Sequence, residues 1–467
     1  MPPLLLSLLL IAAPQAPSVT APLDSVDRYV RSEVARQRIP GLSLAVLRGD
    51  SLLLARGWGE ANVEHHVPAA DSTVYQSGSV GKQFTSALVL RLAQEGRLRL
   101  DDPISRWLPE GPPAWRRVTV RHLLTHTSGI PDYADSTLDY RHDYTEDELV
   151  RLASGLPPRF EPGARWSYSN TGYVLLGVII HRITGTFYGD LLRAQVFEPL
   201  GMRTARIISE SDIVPNRADG YRLVEGRLQH QEWVAPKLNT TADGALYFTV
   251  LDLARWAVGL NHLRFPGADG LRQSWTPVRL NDGGTYPYGF GWSLDQQRGF
   301  PRIGHTGSWQ GFKASIQRYP EQNLTVIALA NLAEARPEAI TLAVAGILEP
   351  ALQPPQMISA PPSGPPPAQP IPDLLREITS GRVGGVTPGL SRFVSPEFRD
   401  ELAELVRPPR EWTWQGCDEV AARHLERLGS AIQRICYAAG RGRDAASLVE
   451  VDYTAEGRAA FVDWYDF

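Results

Sequence analysis

Residues 349–372 read EPALQPPQMISAPPSGPPPAQPIP. So many prolines fix φ and remove backbone donors, which excludes helix and sheet and leaves an extended, semi-stiff linker. A chain of 467 residues is longer than one core usually serves. The linker therefore divides it into a body over residues 22–350, the linker proper over 351–372, and a smaller module over 373–467. Hydrophobic residues make up 43% of the chain, enough to supply a core to each part.

Ahead of the body, residues 4–13 form an apolar stretch of signal-peptide length, followed by small residues and too short to span a bilayer. Residues 1–21 are expected to be an export signal, although the usual positive start is missing. The destination would be secreted or periplasmic. A net charge of -4 and the lack of any Lys/Arg run exclude a nucleic-acid partner. No later segment predicts a stable membrane span. Cys417 and Cys436 both lie in the module. An exported chain could join them and a reduced one would bury two thiols; spacing leaves both open.

Apolar periodicity and turn residues predict helices over 23–37, 82–95, 121–124, 146–153 and 172–184. They predict one hairpin turning at Gly49 and Asp50, and a late hairpin turning at 320–323. A further helix follows from Pro337. Strands at both ends with helices between them predict an α/β (α+β) body: a mostly antiparallel sheet closed by both chain ends, flanked by helices, with a helical subdomain. The module reads as a small α+β domain with helices over 373–378, 397–405 and 418–428 and strands over 431–438, 447–453 and 459–464. It carries no catalytic arrangement and is expected to be dispensable for chemistry.

Candidate chemistry begins at QSGSVGKQFTSALVL, residues 76–90. Ser79 and Lys82 are three apart, hence on one face at a helix N-terminus. Partly desolvated, Lys82 would have a lowered pKa and could take a proton from Ser79. Ser-x-x-Lys also arises by chance in most long chains, with the serine capping the helix and the lysine reaching solvent. A second motif, Tyr168-Ser169-Asn170, precedes an apolar helix. Its phenol can shuttle a proton once a nearby cation lowers its pKa, and its amide can hold a lysine or a substrate carbonyl. A third, His305-Thr306-Gly307-Ser308, suits a strand edge that a substrate backbone approaches, with an unpaired N–H for an oxyanion. Trp309 adjoins it and would shape the pocket. His122 and His126 share a helical spacing but no third ligand joins them, so no metal is expected.

Taken in chain order, Ser-x-x-Lys, Tyr-x-Asn and His-Thr-Gly resemble the class C β-lactamase-like serine hydrolases, which include D-alanyl-D-alanine carboxypeptidases, D-aminopeptidases and esterases. VTVRHLLTHTSGIPDY (118–133), ADGALYFTVLDLARW (242–256) and YGFGW (288–292) look like further stretches of that family. The resemblance implies a β-lactamase/transpeptidase-like fold with Ser79 as the acylated nucleophile. Lys82 would keep it poised and take or relay its proton, Tyr168 would act as general base in one half-reaction and general acid in the other, and Asn170 would bond Lys82 and the substrate. The N–H groups of Ser79 and Ser308 would form the oxyanion hole. It implies no metal or organic cofactor, and a small-molecule or peptide ester or amide as substrate, with cell-wall material among the partners.

His305 departs from the lysine that β-lactamases and carboxypeptidases of this kind usually carry. A mostly neutral imidazole attracts a carboxylate less. Ester hydrolysis is therefore the first expected activity. D-amino-acid peptidase, carboxypeptidase or β-lactamase action comes second, and a non-catalytic acyl-binding sensor is the rival of another class. The module resembles the cone-shaped NTF2-like domains fused to such hydrolases.

Overall fold

The computed structural model describes residues 20–133, 138–209, 211–353, 366–394, 396–407, 410–420, 425–441 and 446–466. The expected export signal lies outside them, apart from the two residues that open the first helix, α1 (Thr20–Gln37). Most of the linker, residues 354–365, also lies outside them.

The hairpin β1 (Gly41–Arg48) and β2 (Ser51–Asn62), with short β3 (Val67–Pro68), pairs with strands from the far end of the body. Those are β4 (Ser293–Gln297), β5 (Phe300–Trp309), β6 (Phe312–Tyr319) and β7 (Leu324–Ala330). The order is β4-β5-β6-β7-β1-β2-β3, antiparallel throughout, with Ala45 of β1 opposite Ile327 of β7. The two chain ends thus close one sheet, as the sequence pattern predicts.

Apolar alternation assigns each face of the sheet. Leu42, Leu44 and Val46 pack with Val326, Ala328 and Ala330 under Val26 and Val30 of α1. Ile340 and Val344 of the C-terminal body helix (Pro337–Leu348) complete that layer. Ala45, Leu47, Ile327 and Leu329 point the other way, into the larger core. There α2 (Lys82–Gln94) is buried from Lys82 to Leu90 without a break. Truncating a side chain such as Phe84 in that core would destabilise the body by about 3–5 kcal/mol. The helical subdomain adds α3 (Val120–Leu124), α4 (Glu146–Gly155) and α5 (Asn170–Thr184).

The first helix after the linker, Ile371–Thr379, carries proline in its first turn, where no N–H is needed. A short helix, Pro388–Phe393, and a longer one, Pro396–Val406, follow. Four antiparallel strands come next: Glu411–Glu419, Arg434–Arg441, Ala446–Tyr453 and Ala459–Asp466, paired in chain order.

Of the helix expected over 418–428, residues 421–424 lie outside the described residues and the described ends are not helical. Asp418 and Glu419 end a strand, while Glu426–Arg427 pair with Ser430–Ala431. Cys417 and Cys436 face each other on adjacent strands and are disulfide-bonded. That register pulls Val420 and Leu425 against Ile435 and Tyr437, and the tertiary pairing overrides the local helical period. Among the described residues, no helix is long and apolar enough to cross a membrane.

Candidate active site

Three segments converge on one spot. The tight turn Gly78–Gly81 feeds α2, Ser169 caps α5, and β5 runs past the end of β4. β4 pairs with β5 only from Phe300 to Gly304, so from His305 onward that edge lacks a β4 partner. The turn sits against it. A Cβ on Gly307 would lie 2.0 Å from the Ser77 carbonyl oxygen and 3.2 Å from the Ser79 nitrogen. A Cβ on Gly78, whose φ is +50°, would lie 2.4 Å from the Ser308 nitrogen. Glycine at both positions brings the backbones of Ser79 and Ser308 together.

Lys82 is fully buried. Its ammonium donates to Ser79 Oγ at 2.9 Å, Asn170 Oδ1 at 2.7 Å and the Asp243 carbonyl at 2.7 Å. Three donors meet three neutral acceptors. Burial lowers the Lys82 pKa from 10.5 to about 8, with the carboxylates of Asp243 and Asp132 partly opposing it. Because Asn170 gives its oxygen to Lys82, its NH2 group is left to donate elsewhere. Asp132 accepts from the Asn170 backbone N–H at 2.5 Å and fixes the start of α5.

Tyr168 corrects one expectation. Lys82 Nζ stands 4.9 Å from the centre of its ring, yet the phenol is not made acidic. Burial pushes its pKa well above 10, and the neighbouring Ser79 hydroxyl offsets this only in part. Its oxygen is buried, with the Ser79 hydroxyl as the neighbour that favours the phenolate. Burial thus favours the neutral form of both groups, the phenol of Tyr168 and the amine of Lys82.

His305 is buried and neutral, its pKa lowered to about 4 chiefly by burial. Its environment fixes every proton around it. The Ser169 N–H donates to His126 Nδ1 at 3.1 Å, so the neutral His126 ring carries its hydrogen on Nε2. That N–H reaches the Tyr288 hydroxyl at 3.2 Å, and Tyr288 in turn donates to His305 Nε2 at 2.9 Å. His305 Nδ1–H then donates to the Thr306 carbonyl at 2.5 Å. The chain ties α5, the loop after α3 and β5 into one frame. The imidazole at 305 therefore offers no cation to a carboxylate, and its charge does not change near neutral pH.

Cavities open on either side of Ser79. One of 90 Å³ lies between Ser79, Asn170, Ser308, Tyr133, Leu238 and Trp309. One of 780 Å³ starts at Ser79, Tyr168, His305 and Ser308 and continues to residues of the module. Thr306 and Gly307 line its near side, and half-buried Trp309 shapes the smaller cavity. All nine residues singled out from the sequence thus meet around one hydroxyl.

Sequence reasoning passed over His126, Asp132, Asp243 and Tyr288 as functional groups, although each lies in a stretch already marked by resemblance. His122 has a separate task, accepting from the Thr119 N–H at the start of α3. Among the described residues no cluster of His, Cys, Asp and Glu could hold a metal ion.

Residues 26–348 match the sequence family described as Beta-lactamase. The chain is 32% identical over 317 residues to penicillin-binding protein 4* of Bacillus subtilis, covering 64% of this chain and 69% of that protein. It is 28% identical over 303 residues to a D-aminopeptidase of Gluconobacter oxydans, covering 62% of this chain but only 56% of that longer relative. The structure resembles that of a D-stereospecific amidohydrolase from Streptomyces sp., with a TM-score of 0.59 and 27% identity over 68% of this chain and 97% of the other. Most of its length, module included, follows the fold of the octameric penicillin-binding protein homologue from Pyrococcus abyssi. There the TM-score is 0.64, covering 95% of this chain and 96% of that one at 24% identity.

Proposed function

The chain belongs to the beta-lactamase family, and on that premise we propose that it is a serine hydrolase that cleaves esters through an acyl-enzyme on Ser79. The observation that carries this reading is the 2.9 Å contact between Ser79 Oγ and a buried lysine whose pKa is about 8.

Each role follows from a position. Lys82, neutral in a large fraction of molecules near pH 8, takes the Ser79 proton as Oγ attacks the carbonyl carbon. The N–H groups of Ser79 and Ser308 hold the developing oxyanion, which is worth about 3–4 kcal/mol per donor. Tyr168, a phenol in the resting site, protonates the leaving oxygen as its bond to carbon breaks. The phenolate then recovers a proton from the Lys82 ammonium, which restores the starting charges. Water enters with the same groups to release the acid and free Ser79. The Asn170 NH2 group orients the substrate carbonyl side.

Neutral His305 supports an ester or amide without a carboxylate at that position. Hydrolysis of D-amino-acid amides or peptides is the second reading, favoured by the D-aminopeptidase and the D-stereospecific amidohydrolase among the similar proteins. β-Lactam or carboxypeptidase action ranks below both. The disulfide between Cys417 and Cys436 supports export into an oxidising compartment.

The test is to label the protein with a fluorescent phosphonate, map the adduct by mass, and follow turnover of a short ester. Label on Ser79 with a burst and a steady state is the expected result. A burst with no steady state would point to a sensor that keeps its acyl group. Label elsewhere, or none, would overturn the assignment.

A further inference from the structure

The module is not remote from Ser79. Tyr168 begins a run of aromatic rings that crosses the boundary between body and module. Trp166 lies 6.2 Å from Tyr168, centre to centre, and stacks on Tyr286 at 4.0 Å with 9° between planes. Tyr286 stacks in turn on Phe393 of the module at 5.1 Å and 19°. Phe393 meets Phe398 edge-on at 4.9 Å, and Phe398 meets Trp464 at 5.6 Å. Phe393, Phe398 and Trp464 all border the 780 Å³ cavity that Ser79 opens into.

The two cavities beside Ser79 are not equivalent. A carbonyl carbon bonded to Oγ carries one bond to the leaving atom and one to the rest of the acyl group. The leaving atom has to face its proton donor. Tyr168 lines the 780 Å³ cavity and does not line the 90 Å³ one. The leaving group therefore extends towards the module, and the acyl group is confined between Tyr133, Leu238 and Trp309. Trp166 lines the larger compartment next to Tyr168.

The module's wall is also held in place. Arg392, next to Phe393, pairs with Asp282 of the body at 2.5 Å. Arg298 of the body pairs with both oxygens of Asp418 at 2.7 Å.

We propose that the C-terminal module is part of the substrate site. Phe393, Phe398 and Trp464 select a bulky aromatic or apolar alcohol or amine as leaving group, joined to a short acyl group. The proposal rests on the assignment of Ser79 as nucleophile and Tyr168 as proton donor. It replaces the expectation that the module is dispensable for chemistry.

The experiment uses the full chain and two ester pairs: methyl against 2-naphthyl acetate, and 2-naphthyl acetate against octanoate. The unaltered protein is expected to prefer naphthyl to methyl, and acetyl to octanoyl, each by about tenfold in kcat/KM. Phe393→Ala with Phe398→Ala lowers the naphthyl-to-methyl ratio by about tenfold and moves the acetyl-to-octanoyl ratio by less than about twofold. Phe393→Leu, which keeps the apolar volume, lowers the first ratio by about threefold and supplies the answer if the double variant does not fold. A first ratio that stays within about twofold in folded protein, or an acyl ratio that moves instead, would overturn the proposal. Phosphonate labelling of Ser79 in the unaltered protein is read separately: failure there overturns the hydrolase assignment and the proposal with it, whereas label on Ser79 with unchanged ester ratios overturns the module's part alone.

Discussion

The body and the module each bury a cation, and the two put it to opposite use. Lys82 donates to neutral acceptors, so burial outweighs the more distant charges of Asp243 and Asp132 and its pKa falls to about 8. Arg427 of the module pairs with Asp452 at 3.2 Å and with Asp295 of the body at 2.5 Å. Burial would lower its pKa, but the two carboxylates outweigh that and raise it. Asp295 mirrors this: burial raises its pKa, and the guanidiniums of Arg302 and Arg427 outweigh burial and hold it well below the usual carboxylate range. One cation can give up its proton, and the other is locked in charge and fastens the module to the sheet edge. Burial of a charge does not by itself mark a reacting group; the charge of its partners decides.

The largest test of that contrast replaces Lys82. Lys82→Arg keeps a cation that cannot be deprotonated, and Lys82→Ala removes it. Either should lower kcat on a short ester by about a thousandfold or more, read as loss of the acylation burst. A Lys82→Arg protein that acylates normally would show that charge and not proton transfer is what the site needs.

Arg427→Met leaves Asp295 and Asp452 facing each other without their shared cation. The loss should be about 3–5 kcal/mol, seen in urea unfolding as early release of the module. Replacing both carboxylates as well should recover most of it.

Cys417→Ser with Cys436→Ser frees a link of 19 residues' separation within the module. About 2–4 kcal/mol of module stability should be lost, reported by Trp412 and Trp414 fluorescence, while the body's transition stays in place.

The smallest effect is in the pH profile. Neutral Lys82 is the reactive form, so kcat/KM should rise about tenfold per unit below pH 8 and level off above it. His305, with a pKa of about 4, should add no inflection between pH 5 and 7. The sign for stability follows from the same shift. Lys82 binds its proton less tightly folded than unfolded, so its unfavourable contribution is complete below pH 8 and is relieved as pH rises from about 8 towards 10.5.

Much of this was legible in the residues. The hairpins turning at Gly49 and at Pro320 announce themselves by turn chemistry, and α2 by the apolar residues Phe84 and Ala87 to Leu90. Ser79, Lys82, Tyr168 and Asn170 carry their chemistry in side chains whose spacing along the chain is short. The shared hydroxyl of Tyr288 was not legible, because its partners His126 and His305 are 162 and 17 residues away. The ends of the helix expected over 418–428 are strand for a related reason: the local period there competes with a strand register tied by the disulfide.

The sequence by itself determined that a serine and a lysine stand one turn apart at the head of a buried helix, and that a phenol and an amide wait before another. Those are local facts, set by backbone geometry within a few residues. Only the tertiary structure decided which of these groups are desolvated and which cavities open beside Ser79. Both depend on which groups from distant segments share one small space. Burial raised the phenol's pKa where a neighbouring cation was expected to lower it, and three aromatic side chains of the module closed a cavity that begins at Ser79.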